Sequence, residues 1–363
     1  MRLLIATTQV PFVRGGAEIL AEGLESALRR AGHEAEIVRF PFRWYPAEAI
    51  PSQVLAARLM DLGEFSGMPI DRVIGLKFPA YLIPHPDRML WLVHQHRAAY
   101  DFWDSGLSDL MQMPGGRAVR DFIREADRVH IPEAKRVYTI SRNVSARLER
   151  HCDIASEALY HPPANADIYR AGEFHDYFLF PSRIDAVKRQ WLAIDALAEA
   201  RLPMKVVFVG TPDNPATMED LVARARKRGV GDRVRWTGAL SEADKIDLYA
   251  NATAILYPPL DEDYGYVTLE AMLAHKPVIT CSDSGGPLEF IRHGVSGLVA
   301  GPEARSLAAA METLWDDRAS AKSMGSAARQ SYADMRIGWD AVIAALTARV
   351  EPPLAAAQER TCG

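Results

Sequence analysis

Apolar positions along the chain follow two alternating spacings. Short apolar runs such as RLLIATT, VIGL and MLWLV alternate with longer amphipathic segments such as AEILAEGLESALRR. This alternation extends from residue 2 to about 160 and again from about 177 to 315. Such an order of strands and helices predicts parallel sheets covered by helices on both faces. We therefore expect an α/β protein with two Rossmann-like, doubly wound parallel-sheet domains.

The two halves are separated by a segment of different character. HPPANADIYRAGEFHD is polar, contains proline and has no regular apolar spacing, which is typical of a linker. We place the boundary near 165, so that one domain covers 1–165 and the other 166–330. Residues 351–363 also lack periodicity and are predicted to form a loose tail.

Composition fits this organisation and narrows the choice of partners. At 363 residues the chain exceeds the size at which single cores usually stop growing, and 48% of its residues are hydrophobic. The net charge is −5 with no long run of one sign, which argues against a nucleic-acid partner because such proteins carry a basic face.

The sequence also indicates the compartment. No stretch approaches the about 20 apolar residues that cross a bilayer, and MRLLIATTQVPF is typical of an opening strand rather than a signal peptide. Cys152, Cys281 and Cys362 are scattered along the chain and are expected to stay reduced. We therefore predict a cytoplasmic protein.

Two glutamates mark the most informative segment, DEDYGYVTLEAM. Glu262 and Glu270 stand eight positions apart, with Gly265 between them and good helix formers behind. The preceding run AILYPP predicts a strand that passes through a short loop into this helix. Backbone N–H groups in a first helical turn bind anions, and glycine lets the backbone approach a phosphate. The carboxylates suit sugar hydroxyls, but the spacing taken alone favours solvated carboxylates at a helix end, so the assignment needs other support.

The residues that follow support a sugar-nucleotide site. KPVITCSDSGGPLEFIRHGVSGLV predicts a buried strand at Val278–Cys281, a Gly-Gly turn, a helix start at Glu289 and a glycine-punctuated hairpin. Together with the glutamate pair, this segment resembles the C-terminal signature of the family 4 glycosyltransferases, which are retaining enzymes. The resemblance implies the GT-B fold, with two domains facing across a cleft. It also implies a C-terminal helix, at about 331–350, that returns to the first domain with Trp339 as an anchor.

Two further segments resemble the same family, in the expected order. Near the N-terminus, a strand, a loop ending in Gly15 and Gly16, a helix and a second strand form a βαβ opening. In YFLFPSRIDAVKRQW, Arg183 and Lys188 lie in a loop, and Ser182 stands where the family usually has glycine. The resemblance implies that the glycines approach the donor diphosphate and that both cations neutralise the diphosphate leaving group.

The resemblance also assigns the other donor contacts. It implies that Glu270 binds the ribose hydroxyls of the nucleotide and that Glu262 binds the transferred sugar. The backbone at Gly265, Tyr266 and Val267 is expected to meet the donor at the start of the helix.

Candidate acceptor residues follow the strand MLWLV. By resemblance, the histidine that closes this strand lies near the sugar, and His94 fits that position best. Alternation puts His94 and His96 on the same face of an extended chain, so the two are not separated, and a core histidine is the alternative. Position alone suggests acceptor contacts from His96, Arg97, Tyr100, Asp101 and Lys77.

Neither a metal nor a cofactor is expected. Asp261 and Asp263 form the Asp-x-Asp pattern of metal-dependent glycosyltransferases, but in the resembled fold Arg183, Lys188 and helix dipoles replace the cation. Histidines and cysteines show no zinc-binding spacing. The expected small-molecule partner is a nucleotide-sugar substrate, most simply a UDP- or GDP-sugar.

The predicted function is sugar transfer from a nucleotide-diphosphate sugar to an acceptor hydroxyl, with retention of configuration, in glycan, polysaccharide or glycoconjugate biosynthesis. The acceptor is a saccharide, a lipid-linked glycan or a small molecule, and peripheral contact with the inner face of the membrane stays an alternative. A GT-B sugar-nucleotide 2-epimerase and an inactive sugar-nucleotide-binding protein are the competing hypotheses. A dehydrogenase is disfavoured because the Gly-x-Gly-x-x-Gly fingerprint is missing. The predicted catalytic residues are Glu262, Arg183, Lys188 and His94.

Overall fold

The chain divides into two compact units. A computed structural model describes residues 1–212 and 214–349, so the tail predicted at 351–363 and Cys362 lie outside the described residues. Unit 1 contains residues 1–140, Val144–Leu159 and the segment from Trp339 onward, whereas unit 2 contains Ser141–Asn143 and Tyr160–Gly338.

The predicted linker lies inside unit 2, which starts its long segment at 160 rather than 166. The reason is that these residues bond to the rest of that unit. The His161 N–H donates to the Tyr264 hydroxyl at 2.9 Å, and the Glu173 N–H donates to the Asn251 side chain at 3.1 Å.

Unit 1 is built around a parallel sheet with helices. Its elements before residue 160 are β1 (Arg2–Gln9), α1 (Gly16–Arg30), β2 (Glu34–Pro41), α2 (Ala49–Leu59), β3 (Glu64–Phe65), β4 (Met68–Pro69), β5 (Arg72–Lys77), β6 (Arg88–His94), α3 (Asp109–Gln112), α4 (Gly116–His130), β7 (Arg136–Thr139), α5 (Arg142–Cys152) and β8 (Glu157–Ala158). Six strands pair in parallel in the order β2-β1-β5-β6-β7-β8, and β3 and β4 form an antiparallel hairpin.

The sheet of unit 1 forms from the predicted apolar runs. β1, β5 and β6 are buried along almost their whole length, as expected for strands between two helical layers. Helix α1 buries Leu20, Leu24 and Leu28, which recur at the helical spacing of one apolar stripe. The strand order changes direction between β1 and β5, so ligands are expected beyond the carboxyl ends of these strands.

Unit 2 has the strand order of a dinucleotide-binding Rossmann fold. Its elements are β9 (Phe178–Pro181), α6 (Gln190–Glu199), β10 (Val206–Val209), α7 (Pro215–Lys227), β11 (Val234–Trp236), α8 (Glu242–Asn251), β12 (Ala254–Leu256), α9 (Tyr266–Leu273), β13 (Val278–Cys281), β14 (Gly297–Ala300), α10 (Ala304–Asp316) and α11 (Arg318–Met335). The strands pair in parallel in the order β11-β10-β9-β12-β13-β14.

The strand order of unit 2 reverses between β9 and β12. Loops that follow the two central strands diverge at such a point and leave a crevice at the carboxyl edge of the sheet. Arg183 and Lys188 lie in the loop after β9, and Glu262 and Gly265 lie in the loop after β12. The fold therefore brings the predicted cations and the first glutamate to one edge of one sheet.

The C-terminal region contains two helices where one was predicted at about 331–350. Helix α11 ends at Met335, because Arg336 takes a left-handed backbone conformation with φ 51°. The chain then continues as α12 (Trp339–Thr347), which belongs to unit 1. The indole of Trp339 lies so close to Gly23 of α1 that a Cβ on this glycine would come within 2.7 Å of it. Arg72 of β5 donates to the Leu346 carbonyl at 2.7 Å and holds the other end of α12.

Candidate active site

The loop after β9 carries the two predicted cations. Asp185 caps the single helical turn Ala186–Lys188, because its side chain accepts the Lys188 N–H at 3.0 Å. This bond fixes the backbone from which the Lys188 side chain projects. Arg183 is exposed at the start of the loop, with its guanidinium 4.0 Å from the Asp185 carboxylate.

Lys188 forms an ion pair with Glu262 in the loop after β12. The two side chains are 14% and 18% exposed, so water screens their attraction less than it would screen a surface pair. Lys188 Nζ also lies 3.5 Å from the hydroxyl of Tyr257. Burial and the nearby Glu262 raise the pKa of Tyr257, which keeps this hydroxyl protonated.

Main-chain hydrogen bonds hold Glu262 against the loop after β13. The Glu262 N–H donates to the Ser284 carbonyl at 2.9 Å, and the Glu262 carbonyl accepts the Gly286 N–H at 2.8 Å. Gly285 has φ 68°, and a Cβ there would lie 2.7 Å from the Glu262 carbonyl oxygen. The predicted Gly-Gly turn is therefore what lets this loop reach the glutamate.

Gly265 is the residue from which helix α9 starts. Its φ is 91°, and a Cβ would lie 2.9 Å from Pro287 and 3.3 Å from Tyr257. Both the backbone angle and the packing require glycine. The first-turn N–H groups, including those of Tyr266 and Val267, point out of the helix at its positive end, where an anion is stabilised.

Glu270 lies on α9 and is held by residues of α8. The Tyr249 hydroxyl donates to its carboxylate at 2.5 Å, and the Lys245 ammonium lies 3.8 Å from it. Burial, followed by the charge of Glu270, raises the pKa of Tyr249, so Tyr249 remains a hydrogen-bond donor. The carboxylate is 15% exposed and retains acceptor capacity for further hydroxyl groups.

In unit 1, Gly15 and Gly16 lead from the loop after β1 into α1. The Gly15 N–H donates to the Glu18 carboxylate at 2.8 Å, and the same carboxylate lies 3.6 Å from the Lys77 ammonium at the end of β5. One glutamate therefore joins the predicted glycines and Lys77. Gly15 is extended at φ −144°, which any residue adopts, so its own backbone angle does not require glycine.

The structure separates the two candidate histidines. Strand β6 ends at His94, so the alternation that put both on one face stops there. His94 is half-buried, and its Nδ1 lies 2.5 Å from the Gln95 carbonyl oxygen. The His96 ring packs 5.8 Å from Phe42 and 5.4 Å from Phe78, and burial, then His94, lower the pKa of His96 to about 4. His96 therefore packs with aromatic residues, which favours His94 as the site histidine.

Tyr100 is a core residue, which corrects the acceptor role suggested by its position. It is 3% exposed, and its hydroxyl donates to the Asp127 carboxylate at 2.8 Å. Arg97 and Asp101 bond to each other at 2.6 Å, and the guanidinium lies 3.8 Å from the centroid of the Phe102 ring. This pair braces the loop after β6.

Comparison with known proteins identifies the site-bearing region. Residues 166–331 match the family model described as glycosyl transferases group 1. Residues 166–331 are therefore similar to the group 1 glycosyl transferases, while the rest of the chain lies outside the match. The match contains the loops after β9, β12 and β13.

Three of the similar proteins show how far the similarity extends. The alpha-1,3/1,6-mannosyltransferase ALG2 of Dictyostelium discoideum is 29% identical over 175 residues, which is 44% of this chain and 41% of that protein. The sucrose-phosphate synthase of Thermosynechococcus elongatus has a TM-score of 0.75 at 17% identity, covering 95% of this chain and 97% of that one. Anabaena HepE in complex with UDP-glucose has a TM-score of 0.70 at 18% identity, covering 95% and 98%.

These results confirm the resemblance to the family 4 glycosyltransferases and the predicted GT-B fold. The aligned stretch spans about two fifths of the length of the mannosyltransferase, 41%. At 17% and 18% identity, the solved structures establish the fold of this chain and not its substrates.

Unit 2 contains two supports that the sequence did not reveal. The His161 ring stacks on Tyr264 at 4.3 Å, and its Nε2 lies 2.6 Å from the Tyr266 hydroxyl, so it braces the loop before α9. Arg189, which follows Lys188, is buried against carbonyls of the loop after β12. The Tyr-Gly-Tyr sequence was a signal for the first support, but its histidine lies more than a hundred residues away.

The Asp-x-Asp residues of unit 2 have structural partners. The Asn143 amide donates to the Asp261 carboxylate at 2.7 Å, and the Ser141 hydroxyl donates to the Asp263 carbonyl at 2.5 Å. Within residues 1–212 and 214–349, no group of three His, Cys, Asp or Glu side chains is arranged to hold a metal ion. Asp261 therefore has a role in shaping the loop that carries Glu262.

Proposed function

We propose that this protein is a retaining glycosyltransferase that moves a sugar from a nucleotide-diphosphate sugar to an acceptor hydroxyl. The observation that carries the proposal is the Lys188–Glu262 pair at the switch point of unit 2, beside the N-terminal end of α9. At one edge of this sheet, a cation and a helix dipole suit the diphosphate of the donor, and a carboxylate suits its sugar. The diphosphate is an anion, and the sugar presents hydroxyl groups.

The donor is held by residues of unit 2 in this proposal. Lys188 and Arg183 bind the diphosphate, and the first turn of α9 adds backbone N–H donors. Lys188 carries three N–H donors, so it can bond to Glu262 and to a phosphate oxygen together. Glu262 accepts from hydroxyls of the transferred sugar, and Glu270, held by Tyr249, accepts from the ribose hydroxyls.

The reaction needs charge stabilisation more than a protein nucleophile. The bond between the sugar C1 and the phosphate oxygen breaks, and the acceptor oxygen bonds to C1 from the same face. The departing phosphate oxygen takes the acceptor proton. Negative charge develops on the diphosphate as the bond breaks, and cations already placed there stabilise the transition state more than the ground state. We assign this work to Lys188 and Arg183 without a metal ion.

Unit 1 supplies the remaining contacts in this proposal. Gly15 and Gly16 approach the donor diphosphate through their backbone, and His94 lies near the transferred sugar. Lys77, paired with Glu18, keeps the glycine loop and the end of β5 together. The acceptor in this proposal is a saccharide, a lipid-linked glycan or a small molecule.

The compartment is proposed to be the cytoplasm, with peripheral membrane contact if the acceptor is lipid-linked. No helix in the part of the chain that the structure describes is long and apolar enough to span a membrane. Binding to lipid vesicles with and without a glycolipid acceptor separates peripheral contact that depends on the acceptor from a general affinity for membranes.

The test is a panel of UDP-, GDP-, ADP- and TDP-sugars without metal, followed by thermal stabilisation and slow donor hydrolysis. We expect one nucleotide class, with UDP as the first candidate because the Anabaena relative is in complex with UDP-glucose, to stabilise the wild type and to be cleaved. Glu262→Ala should abolish cleavage, and Arg183→Ala should weaken both effects. Arg201→Ala is the matched control, since Arg201 is another exposed arginine of unit 2, beyond the far end of α6, bonded to Glu312.

Products distinguish the proposal from its competitors. Retention requires that the new glycosidic bond has the same anomeric configuration as the donor, which proton NMR of the product reports. A donor that returns with inverted C2 indicates an epimerase, and stabilisation without any turnover indicates a binding protein. If no nucleotide stabilises the protein with or without magnesium, the donor-site assignment is wrong.

A further inference from the structure

Arg189 occupies an unusual backbone conformation directly after Lys188. Its φ and ψ are 58° and 43°, in the left-handed region that residues with a Cβ rarely adopt. The residue is 7% exposed and is the last one before helix α6. Residues persist in such conformations when the surrounding structure holds them there, so the contacts of the side chain are informative.

The Arg189 guanidinium joins three loops. Nε donates to the Pro258 carbonyl and Nη2 to the Pro259 carbonyl, both at 2.7 Å. Nη1 and Nη2 also donate to the two carboxylate oxygens of Asp283 at 2.8 and 2.7 Å. One side chain from the loop after β9 therefore binds the loops after β12 and β13.

The proline pair explains why a side chain is needed there. Proline has no backbone N–H, so Pro258 and Pro259 offer only carbonyl acceptors to neighbouring segments. The next residues do pair through their main chain: the Leu260 N–H donates to the Val187 carbonyl at 2.7 Å, and the Asp261 N–H donates to the Asp283 carbonyl at 2.9 Å. The arginine supplies the donors that the two prolines lack, and it extends the bonded region toward β12.

We propose that Arg189 is a positioning residue for sugar transfer, which holds Lys188 and Glu262 in register by tying the loops after β9, β12 and β13 together. This inference rests on the proposed function for its catalytic consequence. The hydrogen bonds of the Arg189 side chain go to Pro258, Pro259 and Asp283, so it acts through the Pro258–Glu262 segment and Asp283. A lysine would keep the charge and the left-handed backbone requirement, but it lacks the planar fork that serves four acceptors.

The test compares Arg189→Lys, Asp283→Asn and the double variant with a control pair. Arg224 and Asp195 form a second forked arginine–aspartate pair in unit 2, between α7 and α6, remote in the chain from the loops after β12 and β13. Arg224→Lys and Asp195→Asn therefore reproduce the chemical change without touching the proposed anchor. Two readouts are taken: kcat and KM for the donor, and hydrogen–deuterium exchange of peptides covering residues 258–266 without ligand.

We expect Arg189→Lys to lower kcat by about 10- to 100-fold, because small misplacements of reacting groups have effects of this size. Donor KM should change by less than about threefold, and exchange in 258–266 should become faster. Asp283→Asn should act in the same direction, and the double variant should be less impaired than the sum of both effects on log kcat, because the residues share one interaction. The control variants should leave kcat and the exchange of 258–266 unchanged.

Three outcomes overturn the proposal. They are an unchanged kcat in Arg189→Lys, an equal loss in the Arg224→Lys control, or unchanged exchange in 258–266. Should Arg189→Lys fail to fold, Asp283→Asn carries the same two readouts. The exchange measurement needs no substrate, so it tests the anchor separately from the proposed function. A wild type without transferase activity overturns the proposed function. Faster exchange of residues 258–266 in the variant would then still identify Arg189 as the anchor of the three loops.

Discussion

Lys188 and Glu262 are 74 residues apart in the chain and form an ion pair across the crevice between β9 and β12. The contact depends on two separate local structures. Asp185 fixes the turn that carries Lys188, and the Ser284 carbonyl fixes the backbone of Glu262. Each charged group is therefore placed before a ligand arrives, which is the condition under which charge stabilises a transition state most effectively.

Glu262→Gln should lower kcat about 10²- to 10³-fold, the range seen when one preorganised polar group is lost from an active site. The side chain keeps its size but loses the charge that balances Lys188 and accepts from the sugar hydroxyls. Donor KM should move only a few-fold. The measurement is initial-rate kinetics with the stabilising donor.

Glu312→Gln is the matched control for this change. Glu312 pairs with the exposed Arg201, and one partner that is 88% exposed makes the pair weak, so this variant should keep wild-type kcat. A Glu262→Gln enzyme with wild-type kcat would remove Glu262 from the catalytic residues.

Gly265→Ala should destabilise unit 2 and weaken donor binding. The new Cβ adds a left-handed backbone cost of about 1 kcal/mol and an overlap with Pro287 and Tyr257, for which overpacking typically costs about 1–3 kcal/mol. Gly229→Ala isolates the first component, because Gly229 has φ 70° and open space around its Cβ position. Thermal unfolding of both variants is the measurement. Equal losses of Tm would show that the packing around Gly265 is not restrictive.

In contrast to Gly265→Ala, Gly15→Ala should change the stability of the protein little and weaken donor binding clearly. Its backbone is extended, and an added Cβ would lie 3.6 Å from the Glu18 carboxylate, an ordinary contact. The free energy of unfolding should therefore change by less than about 1 kcal/mol. If a phosphate approaches this backbone, the methyl group should weaken donor affinity about tenfold. Titration calorimetry with the nucleotide tests this, and unchanged affinity would place Gly15 outside the donor site.

The order of elements and the main site motifs were predictable because they are local. Apolar spacing located the strands, and the Gly-Gly turn before Glu289 is the feature that admits the Glu262 backbone. The resemblance predicts donor-site roles for Arg183, Lys188 and Glu262, and these roles stay predictions. The fold brings the loops that carry the three residues to one sheet edge.

The remaining features depend on contacts between distant residues. Arg189 bonds to carbonyls 69 and 70 positions away, and nothing in its neighbours indicates a left-handed backbone. The position of Tyr100 after β6 suggested an exposed aromatic residue in a loop. Its hydroxyl instead donates to the buried carboxylate of Asp127, 27 positions away on α4. The histidine pair could not be resolved because alternation holds only while the strand lasts, and β6 ends at His94.

Asp127, which accepts a hydrogen bond from the buried Tyr100 hydroxyl, gives a prediction about the pH dependence of stability. Asp127 is fully buried and accepts from the Tyr81 and Tyr100 hydroxyls at 2.9 and 2.8 Å, with the Gln95 amide at 3.4 Å. Burial raises its pKa to about 6, against the lowering effect of these hydrogen bonds. The folded protein therefore holds a proton more tightly than the unfolded chain. The associated stability is fully present below about pH 4 and is lost as the pH rises through about 6.

Asp127→Asn removes this titration, so the Tm of the variant relative to wild type should rise between pH 4 and pH 7. The shift of about two pKa units corresponds to about 3 kcal/mol, or several degrees of Tm for a domain of this size. The measured quantity must be the difference in Tm between the variant and wild type at each pH, because His96 changes the stability of both proteins in the opposite direction. Its pKa is lowered to about 4, so its contribution is present above about pH 6.5 and lost as the pH falls toward 4. Because His96 titrates in both proteins, its contribution cancels in the difference between their Tm values. A Tm difference that stays constant from pH 4 to pH 7 would show that Asp127 is already ionised in the folded state at pH 4, against this prediction.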